Sequence, residues 1–409
     1  MDNLLKSASM ASNKSSDTLY VKLTEIYNGV FVLEDSDESG ITWDKVKDES
    51  FTIAGELILN CTMPRDCSHL FENKQITRVT SGPCFDIFYT QSMCGMFKHC
   101  TDLKEVTLTF SDCTYCQSFA QMFLQCYQLV DVRLDFENSV YDAYEMFKDC
   151  TRLRNVSYLA LPRLEIASSM FNSCENLVTG YVLVGPGIIK MDYAFYKCKS
   201  LSNVPFVQNC AISNGRRANI FDAYMHDFNK VGLYLPDLRT AEYAFFECFR
   251  LTSVPDLLDT ISLNDMQSMF YGCNSLTSVY IGNTDNVYTM NSAFTECYNL
   301  ESLDAKHWTT ENVTDMLNMF ACCFNLRSID VSGWNVSNVR QASFMFEECC
   351  KLSKINLEGL HFVNCECRDI FKNSVEPMSL PTLDGIVIKC ANSNKSREIK
   401  NNDYEIYTR

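Results

Sequence analysis

The chain has no apolar run approaching the roughly 18 residues a bilayer-spanning helix needs, so no transmembrane span is expected. It also lacks a surplus of positive charge: 35 Lys and Arg stand against 51 Asp and Glu, a formal net charge of −16. Nucleic acid requires clustered cations, which this balance weighs against. An anionic membrane surface is disfavoured on the same ground. The opening residues, Met1-Asp-Asn-Leu-Leu-Lys-Ser7, lack a basic segment followed by an apolar core, so no secretory signal is expected. Signatures of catalysis are missing as well. The histidines, His69, His99, His226, His307 and His361, show no metal spacing, and no Gly-rich phosphate loop follows a strand. Neither an enzymatic activity nor a cofactor or metal is expected.

What the chain does have is a block recurring from one end to the other. It is plainest at Met316-Leu-Asn-Met-Phe-Ala-Cys-Cys-Phe-Asn-Leu-Arg-Ser-Ile-Asp-Val331. Taking the Phe as anchor, the units fall at Phe71, Phe97, Phe123, Phe147, Phe171, Phe195, Phe221, Phe245, Phe270, Phe294, Phe320, Phe346 and Phe371, always 24, 25 or 26 residues apart. A fixed period in this range marks a solenoid.

Within a unit, four residues before the anchor stands Met or Ala in nine cases, the residue just before it is Met in seven, and the third after it is Cys in ten. Offsets of −4, −1, 0 and +3 share one face of a short helix. Leu at +6 and apolar residues at +9 and +11 follow, the last two alternating with polar positions, as in Leu129, Val132 and Leu134. That alternation predicts a brief strand with one buried face. A single such unit cannot bury enough surface alone, which is why the units come stacked. The expected fold is an α/β repeat solenoid of the leucine-rich-repeat type, with about 13 helical-turn-plus-strand units and a small N-terminal β cap. Its rod or arc would be roughly 60 Å long at about 4.8 Å per stacked strand.

The 22 cysteines resemble a disulfide framework, but ten recur at one register of an apolar face. Stacked side chains pointing the same way suit neither a bridge nor tetrahedral zinc. The expectation is a buried thiol ladder and synthesis in a reducing cytoplasm. Cys174→Ser is expected to cost about 1–3 kcal/mol through a poorly satisfied hydroxyl. Trp308 and Trp334, both at +14, are expected to form a packing ladder rather than an exposed glycan-binding stripe.

The segments Tyr193-Ala-Phe-Tyr-Lys-Cys-Lys-Ser-Leu201, Tyr243-Ala-Phe-Phe-Glu-Cys-Phe-Arg-Leu251 and Ser292-Ala-Phe-Thr-Glu-Cys-Tyr-Asn-Leu300 resemble the core of BspA-like leucine-rich repeats. Ile329-Asp-Val-Ser-Gly-Trp-Asn-Val-Ser-Asn-Val339 and Leu303-Asp-Ala-Lys-His-Trp-Thr-Thr-Glu-Asn-Val313 are similar to the related bacterial surface-protein repeat of about 26 residues. The resemblance spans residues 65 to 385. It implies a solenoid of mostly adhesive or surface-displayed proteins, with relatives in protists and phages and no shared catalytic site.

The expected organisation is a flexible arm at 1–17, the β cap at 18–64, the solenoid at 65–390 and a tail at 391–409. The cap is read from the alternation around Asn28-Gly29 and the strand-like stretch from Phe51 to Leu59. The unit at Phe221 is degenerate, with Tyr224 in place of Cys, and follows Gly215-Arg216-Arg217, the most basic spot of the chain. Candidate partner contacts are Arg216, Arg217, Tyr224 and His226 there, and Arg133, Asp304 and Asp330 on the outward strand positions. The expected function is non-catalytic recognition or adhesion, binding a protein or glycan along an extended face. The alternatives are a structural component of a large assembly such as a phage virion, among neighbouring subunits, or an intracellular scaffold. Neither nucleic acid nor membrane insertion is expected.

Overall fold

The anchor phenylalanines do form one column. Phe71, Phe97, Phe123, Phe147, Phe171 and Phe195 stack face to face in sequence order. Phe245, Phe270, Phe294, Phe320, Phe346 and Phe371 continue it. Centroids are separated by 5.2 Å at the tightest step and 5.7 Å at the widest. The computed structural model describes residues 20–109, 113–135, 139–208, 232–352, 354–356, 362, 365–374, 387–388 and 397–398. Residues 209–231, with Phe221, and the terminal segments 1–19 and 399–409 lie outside these.

Two expectations about the unit need correction. The first is the count. Phe195 stacks directly on Phe245 at 5.4 Å with 5° between the planes. The column therefore has twelve rings among the described residues, not thirteen, and it steps across 50 residues of sequence at that point.

The second is the helical turn. The residues around each anchor form a ribbon of overlapping β-turns. In the coil of Phe97, the amides of Met96, Lys98 and Cys100 donate to the carbonyls three residues back, at 3.0–3.1 Å. The alternate amides, of Met93, Gly95, Phe97 and His99, donate to the next coil at 2.8–3.0 Å. Gly95 and His99 sit at φ +61° and +59°, and the equivalent positions −2 and +2 are left-handed in coil after coil. A right-handed helix cannot hold such residues. Among the described residues the only α-helix is α1 (Trp43–Lys47), in the N-terminal region.

Strand and turn ribbon close each coil. β4 (Ala54–Asn60), β5 (Gln75–Ser81), β6 (Glu105–Thr109), β7 (Asp131–Asp135), β8 (Asn155–Leu161), β9 (Thr179–Val184) and β10 (Phe206–Gln208) pair in parallel, each with the next. Val106, Leu108, Val132 and Leu134 point inward and are buried, while residues between them face out. A second ladder of single bridges runs at position −5 from Asp66 through Lys190, Thr240 and Gln341 to Glu366.

At the N-terminal end, β1 (Tyr20–Tyr27) and β2 (Val30–Ser36) form an antiparallel hairpin around Asn28-Gly29, and β3 (Ile41–Thr42) pairs antiparallel with β1. β2 pairs with β4 in parallel, so the hairpin continues the solenoid sheet. Gly55, at φ +135°, is needed here: a Cβ would lie 2.1 Å from the Gly29 carbonyl oxygen.

Beyond residue 231 the strands shrink to β11 (Leu233–Tyr234), β12 (Leu257–Leu258), β13 (Ser302–Leu303), β14 (Ser328–Asp330) and β15 (Lys354–Asn356). Side chains take over the stitching. Thr260, Thr284 and Thr310 each donate a hydroxyl to a carbonyl 23–25 residues on, at 2.6–3.0 Å. Asn286, Asn312 and Asn338 donate amides to carbonyls one coil back, at 2.7–2.8 Å. Trp308 and Trp334 are buried, stack at 6.1 Å and donate their ring N–H to Ile281 and Ala305 carbonyls, so they are a packing ladder.

Candidate interaction surface

The outward row of the long strands is the face the sequence singles out. Parallel register places Glu105, Asp131, Asn155 and Thr179 side by side, one per coil. Arg133 stands beside Thr107 on one side and Tyr158 on the other. Arg78 reaches both neighbours, Glu105 at 3.0 Å and Glu56 at 3.7 Å. Tyr158 and Tyr181 stack at 5.7 Å on the same sheet. The result is a polar, mixed-charge surface with aromatic material, built by the 2-residue alternation of each strand.

The candidate residues separate into groups. Arg133 is exposed on β7, its guanidinium on Asp135 at 3.2 Å. Asp304 and Asp330 fall in the same outward row of neighbouring coils, directly after the paired Leu303 and Ile329. Lys306 reaches Asp330 at 3.8 Å and His307 reaches Asp304 at 3.7 Å. The hydroxyl and amide of Ser332 hold the Asp330 carboxyl below its ordinary range. Arg133 lies in the ten-stranded sheet, whereas Asp304 and Asp330 belong to the separate β13–β15 region, so the three do not converge. Arg216, Arg217, Tyr224 and His226 lie outside the described residues.

The thiol ladder carries no reactive site. Cys100, Cys126, Cys150, Cys174, Cys198, Cys248, Cys273, Cys297, Cys323 and Cys349 are fully buried. Each donates its S–H to the carbonyl of the anchor Phe one coil earlier, at 3.0–3.2 Å, as Cys174 does to Phe147. Burial pushes their pKa values up, Cys100 to about 12, so they stay protonated. Among the described residues no three His, Cys, Asp or Glu side chains converge as metal ligands. Nor does any described helix have the length and apolarity to cross a membrane.

Sequence reasoning missed a second group, on the turn ribbon. Tyr193, Tyr196, Tyr243, Phe246 and Tyr271 occupy positions −2 and +1 of consecutive coils and are half-buried. Their signal was the clustering of aromatics at two registers held elsewhere by mostly polar residues such as Ser169, Asn172, Ser292 and Thr295.

Comparison with known proteins follows the two styles of coil. Residues 67–202 match six copies of the family described as BspA type leucine rich repeat region. Residues 240–359 match the family described as Mycoplasma protein of unknown function, DUF285. No curated protein matches the chain in sequence. A leucine-rich repeat protein of Bacteroides ovatus is 14% identical, with 88% of this chain and 92% of that one covered and a TM-score of 0.35. For a leucine-rich cell surface protein of Faecalibacterium prausnitzii the figures are 17%, 85%, 94% and 0.31. For the pneumococcal vaccine antigen PcpA they are 10%, 93%, 93% and 0.35. By these matches, residues 67–202 are a BspA-type leucine-rich repeat region and residues 240–359 a DUF285 region.

Proposed function

We propose that this is a non-catalytic recognition protein that binds a protein or glycan partner along the outward strand face. The observation that carries the reading is the register of β6 to β9. It lines up Glu105, Asp131, Asn155 and Thr179 as one continuous row, with Arg133 and Tyr158 in the next. Such a row is repeated, open to solvent and mixed in charge, which suits an extended partner gripped at several coils. Its ionisable groups spread along the stack, whereas catalysis needs acid, base and nucleophile brought within hydrogen-bond reach. The ten ladder cysteines are unbridged thiols, each donating to a carbonyl, which supports synthesis in a reducing compartment.

The test is solid-phase binding of the full chain to arrays of immobilised extracellular-matrix proteins and glycans. A specific signal should fall by roughly tenfold or more in a Arg133→Glu/Tyr158→Ser variant. An array member bound equally by wild type and by this variant, together with an Asp131→Lys variant of unchanged affinity, would remove the strand face as the binding site.

A further inference from the structure

The turn ribbon changes character where the column steps from Phe195 to Phe245. Tyr193 and Tyr243 stack at 5.0 Å. Beside them a second column runs Tyr196, Phe246, Tyr271, with spacings of 4.9 and 4.7 Å. The two columns meet at 54° between Tyr193 and Tyr196 and at 51° between Tyr243 and Phe246. Together they form a ribbed, half-exposed aromatic surface on a different side of the coil from the strands.

Carboxylates rim it. Asp192 accepts from the Thr240 hydroxyl at 2.9 Å and from the Glu242 amide at 3.3 Å. Glu242 accepts from the Tyr193 hydroxyl at 3.5 Å, and Asp265 from the Tyr288 hydroxyl at 2.7 Å. The ion pair of this stretch, Lys199 with Glu175 at 2.8 Å, lies apart from them. Among the described residues no Lys or Arg pairs with Asp192, Glu242 or Asp265. Burial, then the charges of Asp265 and Asp192, push Glu242 above its ordinary value. One cation of the chain already rests on the rings, Lys197 Nζ lying 5.1 Å from the centre of Tyr196.

We propose that this patch docks a Lys- or Arg-rich segment of a partner protein. A cationic side chain gains here twice, from carboxylates that no described Lys or Arg pairs with and from the aromatic surface beside them. A neutral sugar gains less, because it carries no charge to answer the carboxylates. The surface is separate from the strand face, so the inference does not depend on the reading above.

The experiment is fluorescence anisotropy of labelled octalysine and octaarginine with the full chain at about 150 mM salt, where unpaired long-range attraction is screened beyond roughly 8 Å. Glu242→Gln/Asp265→Asn should weaken binding by roughly tenfold, two ion pairs being lost. These isosteric changes preserve shape, and a cooperative melt at a temperature no lower than that of wild type establishes that the fold is intact. Glu56→Gln/Glu105→Gln on the strand face should leave the affinity within about twofold of wild type. Equal loss in both double variants would reduce the effect to the net charge of the chain and overturn the proposal. So would undiminished binding in the first variant, no peptide binding at all, or displacement of the peptide by neutral oligosaccharide.

Discussion

Each anchor carbonyl has two lone pairs, and from Phe71 to Phe346 among the described residues the coils fill both. The Phe147 oxygen accepts the Cys150 amide of its own coil at 3.0 Å and the Cys174 thiol of the next at 3.0 Å. This changes what a serine there would do. The sequence alone predicts an unsatisfied hydroxyl, yet the chain performs the substitution itself: Ser374 stands at the thiol position of the Phe371 coil and donates to the Phe346 carbonyl. Cys174→Ser should therefore cost no more than about 1 kcal/mol, and Cys174→Ala about 1–3, since alanine leaves a small void and an unfilled lone pair. Urea midpoints of the two variants decide this, and a serine variant as unstable as the alanine one would contradict it. Iodoacetamide on the native chain should label exposed Cys84 and Cys350 and spare the ladder until denaturant is added. Partly exposed Cys322, pushed up to about 12 by burial and then by Glu348, should label more slowly than Cys84. The apolar register of Phe, Cys and Leu was legible because it repeats along the chain. The acceptor of each thiol was not, because it lies 27–29 residues back, or 53 at the Phe195 step, on another coil. Charge at Glu242 has its own consequence. Its folded pKa is raised, so the penalty is fully present above that value and vanishes below the unfolded one. Glu242→Gln should thus raise the melting temperature at pH 7, with the gain fading as pH falls through the carboxylate range. A gain that persists unchanged at pH 3.5 would show that charge is not its cause.

At the scale of the element, the sequence pattern supports two structures. Apolar residues at −4, −1, 0 and +3 line one face of an α-helix, and they equally line one face of three successive turns closed by i to i+3 bonds. What separates the two is the sign of φ at −2 and +2. Only Gly95 and Gly272 announce it, while Asn73, Gln125, Ser173 and Glu247 adopt it without being glycine. A second signal was present at −5. Asp66, Asp142, Asp265 and Asp315 accept the amide two residues on at 2.9–3.0 Å, an Asx turn that starts the ribbon. The hairpin at Asn28-Gly29 was legible for the opposite reason, since its dipeptide admits few other turns. The turn reading predicts that Ser173→Gly, at φ +61°, will be neutral or stabilising by up to about 1 kcal/mol. Ser173→Val should cost about 1–2 kcal/mol, because a β-branched residue resists the left-handed region. In a helix the order would be reversed, glycine being the worse of the two. Denaturation midpoints that place the glycine variant below the valine one would refute the ribbon.

The whole molecule joins two styles of coil, long-stranded before residue 208 and stitched by threonine and asparagine after 232. The phenylalanine column passes through the join, and so does the ladder of bridges, from Lys190 to Thr240. The strand ladder does not: β10 pairs with β9, and β11 with β12. Gln208 spans the gap. Its side-chain amide donates to the Gly185 and Tyr234 carbonyls, both at 2.9 Å, and its oxygen accepts the Tyr234 amide at 2.7 Å. One glutamine side chain thus imitates a strand residue, holding the coil before and the coil after. A solenoid's cooperativity is set by its weakest nearest-neighbour interface, and among the described residues no strand pairs across this one. Gln208→Leu should remove about 1–3 kcal/mol from that interface while leaving both flanking arrays packed. In hydrogen exchange, wild-type residues 67–202 and 240–352 should open together under mildly destabilising conditions. In the variant the short-stranded half should open first and alone, because it relies on side-chain stitches exposed to solvent. Exchange that remains coupled across the join in the variant would mean that the ring column alone carries the cooperativity of the array.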